Sequence, residues 1–181
     1  MSHKIRRLTE SDLRDAIDHL KYEMEMMKDV AILLSAGHQY SRIVGNALVE
    51  SYVIHARALI MFLYYAPRED DDVMAVNYFP DGEWQKMHPE MPPVLRKTLE
   101  RANKEVAHLT TFRIGKELVE KRWEHRFIAR GIFDIFRVFF DEVSATLMPG
   151  GYMEWFNSHY AFTNKTEDLI DRRTDSSDRS T

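Results

Sequence analysis

SRIVGNALVESYVIHARALIMFLYY, residues 41–65, holds only three formal charges, Arg42, Glu50 and Arg57, in 25 positions. No glycine or proline interrupts it after Gly45, so it predicts one helix from about Tyr40-Ser41 to Tyr65. Pro67 and the acidic run Glu69-Asp70-Asp71-Asp72 stop it. A helix that is apolar on nearly all sides needs other helices around it, so this one is expected at the centre of a bundle.

Outward from that helix, the flanking segments are helical too. Thr9 followed by Asp12 resembles a capping box, after which Leu13, Ile17, Leu20, Met24 and Met27 recur at helical spacing. This first helix is expected to reach about Leu34 and to break at Ser35-Ala36-Gly37. Residues 72–93 read as a crossover loop with a short helical turn over Val73 to Phe79. Pro92-Pro93 can open a third helix, whose stripe is Leu95, Leu99, Ala102, Val106 and Leu109 and whose end is Ile114-Gly115. A fourth is expected from about Lys116 to Leu147, with Ile128, Ile132, Ile135, Phe136, Phe139 and Val143 as its seam. Arg130/Asp134 and Arg137/Asp141 stand at supportive i,i+4 spacing along it. After Pro149-Gly150-Gly151, the cluster Tyr152, Trp155, Phe156, Tyr160 and Phe162 is expected to cap the open end of the bundle. Residues 164–181 offer only Leu169 and Ile170 for burial and read as a disordered tail, which leaves residues 1–163 as a single helical domain. The expected fold is an all-α bundle of four to five helices.

Composition narrows the function classes. At 181 residues and 44% hydrophobic, the chain can bury one full core. Its formal charge of −4 gives no global basic field for nucleic acid, so any RNA contact has to be a local patch. Cysteine is absent, which excludes disulfides, thiolate metal sites and cysteine nucleophiles. Residues 1–10 carry charges with no apolar segment behind them, unlike a signal peptide, and the apolar run 58–66 is shorter than the ~20 residues a membrane-spanning helix needs. A cytoplasmic protein is expected, and no cofactor motif stands out.

Candidate chemistry lies on the second and third helices. Asn46, Glu50 and Arg57 fall within about 40° of one another at 100° per residue, a polar line that suits either an internal ion-pair network or ligand binding. Ser51 and His55 form a second i,i+4 pair, where the histidine serves as a packed core residue or as a base. Arg101, Glu105 and His108 share one face at helical spacing, and Phe112 continues it. An arginine and a histidine so placed can converge on a phosphodiester, the cation stabilising charge while the imidazole moves a proton. The same spacing also fits a solvated face with an Arg/Glu pair.

At these residues, NALVESYVIHARA (46–58), DDVMA (71–75) and NKEVAHLT (103–110), the sequence resembles bacterial proteins with a HEPN-like helical bundle. HEPN domains commonly carry an arginine and a histidine with four to six residues between them, and Arg101 and His108 have six. The resemblance implies RNA binding, or metal-independent RNA cleavage by attack of the 2′-hydroxyl, at a site usually shared across a homodimer. His108 would then act as base and acid and Arg101 would hold the phosphate, with Asn103 or Glu105 orienting them. The polar residue that ribonuclease members place directly after the arginine stands here one position later, at Asn103. Asn46, Glu50, His55 and Arg57 form a second tier. Two other readings stay open: a non-catalytic helical interaction module, and a carboxylate metal bundle built on Glu105-Val-Ala-His108 with Glu50.

Overall fold

The computed structural model describes residues 8–36, 38–107, 111 and 123–165, and these are helical with no strand among them. The chain divides into two compact units, Met1–Met148 and Pro149–Thr181. In the first, α1 (Glu10–Ser35) and α2 (Arg42–Tyr64) form a long hairpin. A 3-10 turn (Ala75–Tyr78) and the short α3 (Glu83–Met87) follow, then α4 (Pro93–Arg101), a π-helical segment (Ala102–Ala107) and α5 (His125–Glu142). The second unit contains α6 (Tyr152–Lys165). The architecture is an all-α helical bundle.

Local chemistry explains most of the boundaries. Thr9 and Asp12 make the capping box reciprocally, Asp12 N–H donating to Thr9 Oγ1 and Thr9 N–H to Asp12 Oδ2. Ser41 caps α2 by accepting from Val44 N–H at 3.4 Å. Pro93 occupies the first turn of α4, where a missing N–H is harmless. Gly82, at φ 77°, supplies the left-handed residue that starts α3. Gly131 of α5 packs against Leu95 of α4, where even a Cβ would find ordinary contact at 3.4 Å from Leu95 Cδ2.

The centre of the first unit is an aromatic cluster. Phe62 of α2 stacks on Phe136 of α5 at 5.8 Å, and Phe139 meets Phe62, Tyr78, Phe79 and Trp84 edge to face. Three buried polar tips find backbone carbonyls: Tyr78 donates to Leu13 O at 2.9 Å, Trp84 Nε1 to Leu63 O at 2.7 Å and Tyr52 to His125 O at 2.7 Å. Three bonds of this kind tie the 3-10 turn, α3 and α5 to the hairpin.

Several expectations are corrected here. Only the C-terminal half of α2 is enclosed: Tyr52, Val53, Ala56, Leu59, Ile60, Phe62 and Leu63 are buried, whereas no residue of 42–51 is. By length and composition α2 could cross a membrane, yet 39% of its most apolar window is buried in protein. Trp123 and Glu124 are not helical, so the fourth long helix starts at His125 rather than Lys116. It ends at Glu142 because Val143 turns extended, at ψ 140°. Residues 83–87 are a helical turn rather than loop. In α6, Tyr152 meets Trp155 and Phe156 stacks on Tyr160. His108, Leu109, Phe112, Ile114-Gly115 and residues 166–181, and with them most of the expected tail, lie outside the described residues.

Candidate functional site

Beyond Arg101 the third helix changes pitch, residues 102–107 adopting i→i+5 bonding. Ala102, 1% exposed, pins the segment to the core, and polar side chains gather around it. Arg101 donates through Nε and Nη2 to Oε1 and Oε2 of Glu105, both at 2.9 Å. The pair is largely shielded, with side-chain exposures of 11% and 12%, and the guanidinium lies 4.0 Å from the Trp123 ring centre. From α2, Arg57 Nε donates to Asn103 Oδ1 at 2.9 Å. Four sequence candidates, Arg57, Arg101, Asn103 and Glu105, thus come together at one wide turn.

The fifth, His108, lies outside the described residues. The inference that it shares a face with Arg101 used 3.6 residues per turn, and the wider π turn between them removes that spacing as an argument. Among the described residues, the guanidinium groups of Arg57 and Arg101 and the carboxylate of Glu105 stand at this turn, with Lys104 in the same segment. A guanidinium fixed by a carboxylate along one edge and an indole across one face has little rotational freedom, which suits recognition of a planar or anionic ligand.

The remaining candidates have other settings. Asn46 and Glu50 are exposed on the uncovered half of α2, so the polar line with Arg57 is not an internal ion-pair network. Arg57, half-buried, reaches Asn103 instead. Ser51 is half-buried, and His55 turns to α1, its Nδ1 2.7 Å from Glu23 Oε2, with Tyr22 edge-on at 5.9 Å. The histidine is thereby a clasp between the two helices of the hairpin. Glu105 faces Arg101, and among the described residues no three His, Asp or Glu side chains gather as a metal site.

Three features escaped sequence reasoning. Glu23 and Trp123 are distant in sequence from the residues they touch, and neither has a local motif. α4 and α5 also leave a shallow hollow between Pro92, Val94, Phe127 and Gly131, rimmed by Glu124 and the Arg130–Asp134 pair. No protein-family model, curated protein or solved structure matches this chain.

Proposed function

We propose that this is an RNA-binding protein of HEPN-like type with a metal-independent endoribonuclease site at Arg101 and His108. The observation that carries the reading is the convergence of Arg57 and Arg101, from separate helices, on the π turn that directly precedes His108 in the chain. Short π segments inside helices are frequent at functional sites, where the wider turn re-aims side chains. Arg101, oriented by Glu105, holds a phosphate oxygen, and Asn103 with Arg57 supplies a second polar contact on the same side. His108 takes the proton of the ribose 2′-hydroxyl as its oxygen attacks phosphorus. The bond from phosphorus to the 5′-oxygen breaks, that oxygen takes the proton back from His108, and the products end in a cyclic phosphate and a free 5′-hydroxyl.

A non-catalytic interaction module is the second reading, favoured by one feature: Glu105 already satisfies the Arg101 fork, as it would in a purely structural pair. Incubation of the folded chain with a diverse single-stranded RNA pool in EDTA separates the two. The nuclease reading requires cleavage with cyclic phosphate ends, reduced about 100-fold or more by His108→Ala at unchanged melting temperature. An intact pool, or equal cutting by His108→Ala, leaves the interaction module.

A further inference from the structure

Arg101, at the end of α4, lies against Trp123, just before α5, while Leu95, near the start of α4, lies against Gly131 in the middle of α5. The two helices therefore run antiparallel, and the groove between them leads from the Arg101 site toward Pro92. Val94 and Arg101 stand seven residues apart, nearly two whole turns, so both edge the same flank of α4. The hollow between α4 and α5 has a volume of about 430 Å³, in the range of small-ligand sites. Pro92, Val94 and Gly131 give it apolar walls, and the ring of Phe127, four residues beyond Trp123, lines it while 65% exposed. Glu124 and Asp134 set carboxylates on its rim, the latter in a loose 3.9 Å contact with Arg130. Glu124 is exposed, and its side chain does not cap α5.

We infer that this hollow takes one base of the RNA strand, stacked on Phe127, and selects bases that carry an amino group over uracil. The inference rests on the RNA-binding reading proposed for Arg101 and extends it from the phosphate to the base. Val94 is about 10 Å from Arg101 along the helix axis, and a strand rises about 3.4 Å per nucleotide even when stacked, so a strand held at Arg101 reaches the hollow within about three nucleotides. The charges divide the parts of the strand between the two ends of the groove. Arg101, with the exposed Lys97 one turn before it, suits the phosphates. The carboxylates on the rim of the hollow repel phosphate and accept hydrogen bonds, as from the cytosine 4-amino or adenine 6-amino group. Uracil presents a carbonyl oxygen at the same place, so two acceptors would face each other. The exposed ring supplies the part of the affinity that tolerates any sequence, because every base has a face to stack.

Fluorescence anisotropy with short labelled 2′-O-methyl oligocytidine and oligouridine strands tests it, since attack by a 2′-hydroxyl can cut neither and the two bases differ little in size. The full chain is expected to bind the oligocytidine strand about fivefold or more tighter than the oligouridine strand. Phe127→Ala is expected to weaken both by about fivefold or more, and Phe127→Trp to keep the affinity of the parent. Phe127 is exposed, so both variants are expected to melt with the parent. Glu124→Gln combined with Asp134→Asn is expected to bring the two strands to equal affinity without weakening the oligouridine strand. Arg101→Gln separates this inference from the reading beneath it, because it is expected to weaken both strands whatever stands at position 127. A parent chain that binds neither strand removes the RNA reading and the base site together. Binding that needs Arg101 but is unchanged in Phe127→Ala, or equal for the two strands in the parent, overturns the base site alone and leaves the phosphate site standing.

Discussion

Arg101 and Glu105, one turn apart, are joined by two parallel hydrogen bonds of 2.9 Å and covered on one side by Trp123. Removing one partner of a shielded pair leaves the other charge uncompensated, whereas exposed pairs contribute little. Glu105→Leu is therefore expected to lower stability by about 2 kcal/mol. Asp141→Ala, which breaks the Arg137–Asp141 pair at 48% and 53% exposure, is expected to change it by under about 0.5 kcal/mol. Urea titration of both variants checks this. Equal midpoints would mean that the π turn is held by packing alone.

Phe139 is the hub of the aromatic cluster, packed edge to face against rings from α2, the 3-10 turn and α3. Phe139→Ala is expected to cost about 3–5 kcal/mol, the transfer energy of the ring plus the cavity left behind. Phe127 stands on the same helix at 65% exposure, and Phe127→Ala is expected to cost under about 0.5 kcal/mol. Comparable losses in thermal melts would contradict the placement of the core.

These two phenylalanines show how far the sequence carries. Phe139 was legible because it continues the Ile128–Ile132–Phe136 stripe, and the capping box at Thr9 was legible because both partners lie within four residues. The uncovered half of α2 was not. Ile43 and Ile54 are chemically the same as Ile60, and only the arrival of α4 and α5 against part of the helix distinguishes them. Glu50 and Arg57 likewise share a phase on paper, but Arg57 is drawn to Asn103 by a segment whose π pitch no local residue announces. At the site, the arginines and the amide were readable as residue types. Trp123 was not, since a ring that receives a guanidinium from 22 positions away carries no periodic signal.

Burial sets a pH limit on the fold. The Tyr64 hydroxyl is pushed up to about 12 by burial, and those of Tyr52 and Tyr78 are also raised for the same reason. A phenol whose folded value exceeds its unfolded value stabilises the fold fully below the unfolded value, and that contribution is lost as pH rises through the folded value. Ultraviolet titration of the eight tyrosines is expected to show an early step near the ordinary value of about 10 and a late step that coincides with loss of helical signal. A single early step with the helices intact would show that these three hydroxyls are not enclosed.

The proposed RNA binding at the π turn makes its own prediction, separable from cleavage. For a single strand, each phosphate that the protein no longer neutralises lowers the slope of log affinity against log salt by about 0.7. Arg57→Gln and Arg101→Gln each remove one cation from the turn, while Arg137→Gln removes one from the exposed pair on α5. The net charge changes by the same amount in all three, so the last variant controls for the global field. Binding of a short single-stranded RNA in EDTA, followed across a salt series, is expected to show the lower slope for Arg57→Gln and Arg101→Gln only. Equal slopes in all three variants and the parent would place the phosphate path elsewhere on the surface. A reduced slope for Arg57→Gln alone would show that Glu105 keeps the Arg101 charge for itself, leaving Arg57 and Asn103 to hold the strand.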